Sequence, residues 1–509
     1  MTMKHWPKQP FIYEINTWVW LNELGQKYGR SVDLGSVPPR EWESLALLKM
    51  DAVWLMGVWE RSPAAVRLIP GLKEQMEEFH RILPDFVPQD VIGSAYCIRR
   101  YIVDERIGGP MGLAAARKEL ARRGIRLILD FVPNHTAQDH PWISEHPGYY
   151  IQGGADDLAN DPTAYFEADG KVIARGRDPF FPAWQDVAQL NAFHAGLRKA
   201  AIETIESIAQ QCDGIRCDMA MLLINGIFEN TWGKKAGKRP RQEYWVEIIE
   251  AVLRKGLDFV FIAEAYWDLE WELQQQGFDF CYDKRLYDRL ISGTAEDVRL
   301  HLLADAGYQG KLLRFIENHD EPRAAAVFHP QKELAAALIA ATVPGAKLFH
   351  DGQIEGRKIR VPVSIGRRPP EEPQTALQDF YRRLLDVVSS ACFDEGEWKL
   401  CDREGWPDNS SWINVLAWCW SWREEKYLIA VNFSDFRSQS LIRVPWQDIG
   451  GAQWRLVDAF SGGQFDRDGD QMQFPGLYVD LEGWQWHFLR FFKAGDDFSR
   501  EGAKTQKQD

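Results

Sequence analysis

Arg216 and Asp218 stand two residues apart at the end of a short apolar run, Gly214-Ile215-Arg216-Cys217-Asp218. Side chains two apart on a strand share one face, so a guanidinium and a carboxylate would emerge together where the strand stops. A neighbouring cation favours the ionised carboxylate and lowers its pKa, which is the state a carboxylate nucleophile needs. An ordinary buried ion pair carries the same signature. Glu264 ends another apolar run, Phe259-Val260-Phe261-Ile262-Ala263, and is followed by Ala265, Tyr266 and Trp267. Apolar surroundings raise a carboxyl pKa and suit a general acid; a strand-end salt bridge is the alternative. One ionised and one protonated carboxyl are the minimum for cleaving a glycosidic bond. Asp320, in Asn318-His319-Asp320, supplies a third acid, and Asp130 with Asn134-His135 ends one more apolar run.

These residues need a frame that brings strand ends together. Strands are expected at 11–16, 51–56, 126–132, 213–218, 259–264, 278–282, 311–316 and 346–350. Helices are expected at 42–49, 72–80, 111–123, 198–211, 242–255, 333–342 and 377–389. Strand and helix alternate through about eight repeats, which predicts an α/β fold of the (β/α)8 TIM-barrel type, whose catalytic groups sit at the C-terminal ends of the strands. A doubly wound sheet is the alternative, but no Gly-x-Gly-x-x-Gly follows an early strand. Long insertions separate the second and third strands (57–94) and follow the third (135–191). Irregular segments of that length are usually functional or small inserted domains. From 394 the pattern becomes short runs rich in Trp, Ile, Val and Phe, at 411–422, 426–433, 439–444, 453–457 and 485–492. Turn signals fall at 432–435, 461–463 and 466–470, which predicts a C-terminal antiparallel β-sandwich. The expected division is 1–135 and 192–393 for the barrel, 136–191 for a small domain inserted after strand 3, and 394–494 for the sandwich. The polar tail, 495–509, is expected to be disordered.

Four segments resemble the signature regions of the α-amylase family, glycoside hydrolase family 13. They are Asp130-Phe131-Val132-Pro133-Asn134-His135, Gly214-Ile215-Arg216-Cys217-Asp218, Ala263-Glu264-Ala265 and Glu317-Asn318-His319-Asp320. They occur in the family's order and at similar spacing; each motif is weak alone and the set is specific. The resemblance covers the barrel through the 377–389 helix, and the sandwich fits that family's domain C. It implies Asp218 as the nucleophile that forms a β-glycosyl-enzyme, Glu264 as acid/base, and Asp320 as the group that holds hydroxyls of the distorted sugar. Arg216, His135 and His319 would line the −1 subsite. Tyr96, in Gly93-Ser94-Ala95-Tyr96, resembles the aromatic that stacks on the −1 ring, with a plain loop aromatic as the alternative. Asp130 would orient Arg216, and 136–191 would be domain B.

Departures from the family pattern bear on the substrate. Met221 and Leu222 stand where many amylases carry a Lys-His pair that serves the leaving-group side and calcium. In Gln185-Asp186-Val187-Ala188-Gln189-Leu190-Asn191, which resembles the family's fifth region, Gln189 replaces a common calcium-binding Asp. Asn134 alone does not make a hard-cation site. The expectation is no cofactor and no metal, with calcium as the alternative despite two substituted ligand positions. His135, His140 and His146 are too loosely spaced to argue for zinc. Arg357, Lys358, Arg360, Arg367 and Arg368 follow the eighth strand, where barrels often bind phosphate; solvated charge is the plainer reading.

The 509-residue chain is 45% hydrophobic and 26% charged, with a formal net charge of −14. That balance argues against nucleic acid and anionic membranes as partners. Seven scattered Cys without a C-x-x-C pair read as reduced thiols. Met1 to Pro10 shows no secretion signature, and a cytoplasmic location is expected. Of 22 Trp, ten lie from Trp398 onward, which favours a core role there over sugar stacking. The expected function is that of a retaining α-glycosidase acting on short α-glucans or α-glucosides. The first alternative is a transglycosidase, glucoside phosphorylase or isomerase using the same intermediate. A non-catalytic carbohydrate-binding protein on the same fold is the alternative of another class.

Overall fold

A computed structural model describes residues 5–256 and 258–493. Eight parallel strands close into a barrel: β1 Phe11–Asn16, β2 Ala52–Met56, β3 Arg126–Phe131, β4 Gly214–Cys217, β5 Val260–Ala263, β6 Phe280–Tyr282, β7 Leu312–Arg314 and β8 Ala346–His350. Neighbours in the ring follow chain order, with β8 returning to pair with β1. Every residue of these strands is buried. That is why their sequences read as continuous apolar runs. β6 and β7 are only three residues long, shorter than the 278–282 and 311–316 runs suggest.

Register carries the functional residues to one level. Arg216 on β4 pairs with Asp130 on β3 and with Ile262 on β5. Backbone hydrogen bonds continue past the strands: Asp218 N–H donates to Phe131 O at 2.9 Å and Glu264 N–H to Cys217 O at 3.0 Å. Asp218 and Glu264 are therefore fixed by the ladder although both lie one residue beyond their strands.

Two insertions build on the rim. After β2, helices Pro63–Leu68 and Lys73–Ile82 lead into a return past Val91, which bridges Ile365 after β8. After β3, a two-stranded ribbon (His135–Ala137 with Val187–Gln189) encloses a three-stranded sheet of 152–174. The ribbon is what the 136–191 insertion grows from.

The C-terminal strands are β9 Glu397–Leu400, β10 Asp402–Glu404, β11 Val415–Trp422, β12 Glu425–Asn432, β13 Ser438–Arg443, β14 Gln453–Asp458, β15 Gln464–Asp468, β16 Leu477–Leu481 and β17 Trp486–Lys493. They form a six-stranded antiparallel sheet, β9-β11-β12-β17-β14-β15, and a three-stranded one, β10-β13-β16. Their shared core includes Val415, Ala430, Ile442, Leu456, Val479 and Leu489. The 466–470 stretch, expected as a turn, is in part strand β15. Its Asp466 pairs across the ladder with Arg455 at 2.7 Å, so the polar residues belong to an edge strand.

Two compact units do not divide at 393/394. One comprises the described residues up to Lys284 with Ala306–Val327 and Gly345–Gln378. The other comprises Arg285–Asp305, Phe328–Pro344 and the described residues from Asp379 onward. Hydrogen bonds account for this grouping: Trp420 Nε1 donates to Thr342 O at 2.6 Å and Arg299 Nη1 to Cys401 O at 2.9 Å. The 495–509 tail lies outside the described residues. Among those described, no helix is long and apolar enough to cross a membrane.

Candidate active site

Arg216 is fully buried on β4, and three aromatic faces surround its guanidinium. Its Cζ lies 5.3 Å from the Trp54 ring, 5.1 Å from Tyr96 and 5.6 Å from Tyr282. Aromatic faces attract a cation but give it no counter-charge. The acids supply that. Nη1 donates to Asp218 Oδ1 at 2.7 Å, and Nη2 lies 2.8 Å from Glu264 Oε2 as an ion contact without hydrogen-bond alignment. Asp130 is farther, 3.9 Å from Nη1, and its other oxygen accepts the Gly57 N–H at 3.2 Å. Burial alone would lower the Arg216 pKa, but Glu264 and its other neighbours raise it well above its ordinary value.

That one cation is shared changes the reading of Asp218. The sequence suggests a carboxyl held low by Arg216. In the structure burial dominates and raises the Asp218 pKa, with Arg216 opposing. A guanidinium divided among neighbouring carboxylates cannot hold each of them low. Glu264 follows expectation more closely: burial is the largest effect, Arg216 opposes it, Asp218 and Asp320 reinforce it, and the pKa rises to about 7. Its oxygens accept the Met219 N–H at 2.6 Å and the Tyr266 hydroxyl at 2.9 Å. Met219 takes a left-handed backbone, φ +43°, directly after Asp218, a conformation that side chains rarely adopt away from functional turns.

Asp320 is the opposite case. Burial pushes its carboxyl up, but His319 outweighs this and holds it at about 2. Its side chain is 45% exposed, and His319 Nε2 lies 3.0 Å away. On its other side His319 Nδ1 meets Glu14 Oε1 at 2.5 Å. Burial opposes a charged imidazole, yet Asp320 and Glu14 together raise its pKa well above the ordinary value. The Tyr96 hydroxyl sits 2.6 Å from the same Nε2. Glu14 was not foreseen, although a lone acid in the apolar strand Phe11–Asn16 is a signal of a buried partner.

A cavity of about 820 Å³ opens over these groups, lined among others by Tyr96, His135, Asp218, Glu264 and Asp320. Arg216 and His319, expected to touch substrate, lie beneath the acids, 0% and 3% exposed. His135 packs its ring 5.2 Å from Trp184, and burial lowers its pKa to about 4, so it is a neutral imidazole. The insertion after β2 contributes Ile69, Leu72 and Phe79 to the wall, and the segment after β8 contributes Arg360 and Val363. The sequence marked the insertion by its length and Arg360 by its charge, but not Ile69, Leu72, Phe79 or Val363, because a wall needs only shape.

The arginines after β8 are occupied. Arg357 pairs with Glu23 at 2.9 Å, Arg360 with Glu78 at 3.1 Å, and Arg367 with Asp90 at 2.6 Å. Arg368 contacts Glu23 at 2.7 Å and also pairs with Asp351. Arg360 and Arg367 tie the segment after β8 to the insertion after β2, and Arg357 and Arg368 tie it to the helix Thr17–Tyr28, so these four guanidinium groups are all paired. At Asn134 a cation would meet a donor. Gln189 Nε2 donates to Asn134 Oδ1 at 2.9 Å, Asn134 O at 2.9 Å and Leu190 O at 3.0 Å. Those oxygens are the ligands a hard cation would use, and an amide already answers them, so the residues present do not fit calcium. His140 accepts the Trp142 N–H at 3.1 Å and His146 stacks on Tyr149, so the three histidines do not converge on zinc.

Residues 43–277 match the family model described as alpha amylase, catalytic domain. That segment is an α-amylase-family catalytic domain. Among curated proteins, the chain is 25% identical over 254 residues to Alpha-amylase MalA of Haloarcula japonica. It is 22% identical over 270 residues to Alpha-amylase 3 of Dictyoglomus thermophilum. These matches cover 47% and 48% of the chain but only 33% and 50% of those relatives. Among solved structures, a noncanonic maltogenic α-amylase AmyB from Thermotoga neapolitana aligns with TM-score 0.68 at 18% identity, over 95% of this chain and 99% of that one. A cyclic α-maltosyl-(1→6)-maltose hydrolase from Arthrobacter globiformis aligns with TM-score 0.65 at 16% identity, over 97% and 100%. At such identities the likeness is one of fold.

Proposed function

We propose that the chain is a retaining α-glycosidase that cleaves short α-glucans or α-glucosides. The observation that carries this is the pair of carboxyls at one guanidinium: Asp218 hydrogen-bonded to Nη1 and Glu264, raised to about 7, against Nη2. Two carboxyls held by adjacent nitrogens are close neighbours, the arrangement of nucleophile and acid rather than of acid and water-activating base. The aligned bond from Arg216 supports the ionised form at Asp218, so the proton resides at Glu264.

In the first step a carboxylate oxygen of Asp218 attacks the anomeric carbon as the glycosidic bond breaks. Glu264 gives its proton to the departing oxygen. In the second step Glu264 takes a proton from water, whose oxygen displaces Asp218 and frees the sugar. Asp320, ionised at about 2, accepts hydrogen bonds from sugar hydroxyls. Tyr96 offers a ring beside the sugar. The expected reaction needs no calcium, since the Gln189 amide takes the cation's role at Asn134. The pairing of the arginines after β8 with carboxylates favours a neutral saccharide over a phosphorylated one.

The test is proton NMR of products from maltose, isomaltose, trehalose, sucrose and soluble starch. Release of a reducing sugar first as its α anomer supports the proposal. A new glycosidic bond or a sugar phosphate would replace hydrolysis with transfer, and sugar binding without turnover would favour the non-catalytic reading.

A further inference from the structure

Glu14 is an acid inside the barrel that no step of the proposed reaction uses. It is fully buried on β1, between Trp54 of β2 and His350 of β8 in the ladder. Its Oε1 lies 2.5 Å from His319 Nδ1, and its Oε2 has no hydrogen-bond partner among the described residues. A buried carboxylate so placed is costly unless a cation compensates it. His350, its neighbour in the ladder, lies 3.3 Å from Glu317 and serves that acid.

The geometry also bears on the protons of His319. Nδ1 faces Glu14, and Nε2 faces Asp320 at 3.0 Å. An ionised carboxylate only accepts, and a neutral imidazole has one N–H. With either neutral tautomer one carboxylate would meet a lone pair, so two ionised acids require both ring nitrogens to carry protons. The Tyr96 hydroxyl, 2.6 Å from Nε2, then accepts from the ring and keeps its own proton for the cavity that Tyr96 lines. Although burial opposes the charge, Asp320 and Glu14 raise the His319 pKa well above its ordinary value. A backbone carbonyl is a common partner for a histidine Nδ1–H; it would orient the ring without favouring the charge, and a carboxylate does both. The other charged groups near His319 are Arg216, which shares the Trp54 and Tyr96 rings with it, and Asp130 on β3, close enough to feel its charge.

We propose that Glu14 is a positioning residue: it keeps His319 an imidazolium, which fixes the Asp320 carboxylate and the Tyr96 hydroxyl for the sugar. This rests on the glycosidase reading, in which those two groups meet the sugar. Glu14 itself is sealed beneath them and touches no substrate.

Two measurements test it. In protein labelled with 15N-histidine, His319→Asn identifies the His319 signals among those of the 11 histidines. At about pH 8, where an ordinary imidazole is neutral, both ring nitrogens of His319 should show the shifts of protonated nitrogen. A neutral ring there would overturn the proposal, whether or not the protein cleaves any sugar. Kinetics separate charge from fit. Glu14→Gln keeps the size and removes the charge; Glu14→Asp keeps the charge and shortens the reach. Relative to the unsubstituted protein, kcat/KM of Glu14→Gln for maltotriose should fall about tenfold further between about pH 5 and pH 7, because an imidazole that loses an adjacent anion deprotonates at lower pH. The loss in Glu14→Asp should be the same at both. A pH-independent loss in both variants, or no loss in either, would overturn the proposal; should Glu14→Gln fail to fold, the ring-nitrogen shifts of the unsubstituted protein decide it. An unsubstituted protein inert to maltotriose would sink the glycosidase reading and the sugar-facing role with it, while the ring-nitrogen shifts still decide the His319 charge.

Discussion

At the scale of residues, the site is a single guanidinium serving several acids, and protonation follows from how it is shared. Glu264 near 7 and Asp320 near 2 are pushed apart by surroundings rather than by residue type. The sign of the pH dependence follows. Glu264 must be protonated to act as an acid, so kcat/KM for an unactivated glucoside should be retained below about 7 and fall as pH rises through it. Glu264→Gln should remove that alkaline limb and lower kcat by about 10²–10⁴-fold, the range for a lost general acid. Steady-state pH profiles check both. Asp218 and Glu264 drew attention in the sequence because each ends an apolar run, and Asp320 because it closes a polar cluster just past one. The upward shift of Asp218 was not, because spacing names the nearest cation but not how many acids claim it. Glu14 escaped notice because its partner His319 is distant in sequence and close only once β1 pairs with β8.

At the scale of elements, the eight barrel strands were legible because burial on both faces leaves an unbroken apolar signature. Helix Thr17–Tyr28 was not: Trp18, Val19, Trp20 and Leu21 resemble strand more than helix. Its start is marked instead by Asn16, whose side chain accepts the Val19 N–H at 3.4 Å. Edge strand β15 hid behind polar residues whose partners are across the ladder. The entry to β8 makes a sharper demand. Gly345 has φ +106°, and a Cβ there would run into the carbonyl oxygen of Leu312. Neither the backbone angle nor the neighbour can yield cheaply. Gly345→Ala should destabilise the protein by more than about 1 kcal/mol, a strained left-handed position with a backbone clash. Urea unfolding followed by circular dichroism measures it.

At the scale of the whole molecule, the barrel expectation stands and the C-terminal sheets are antiparallel as anticipated, but the compact units cut across the expected boundary. Helices that sequence order assigns to the barrel, Ala295–Leu302 and Pro330–Thr342, group with the C-terminal strands through bonds that sequence order cannot reveal. The inserted domain is tied at Asn134 by the Gln189 amide where a cation would otherwise bridge. Chelation should therefore leave Tm unchanged. A calcium ion bound at 100 times its Kd would add about 2.7 kcal/mol, a shift that differential scanning calorimetry with and without EDTA resolves.

The central claim, that Asp218 is the nucleophile of a retaining reaction, is tested most directly by trapping its intermediate. The protein is incubated with 5-fluoro-α-glucosyl fluoride and examined by intact mass spectrometry and peptide mapping. The account predicts one added fluoroglucosyl group, on the peptide carrying Asp218 and lost in Asp218→Asn. A label on any other residue, or continued consumption of the reagent by unlabelled protein, would contradict it.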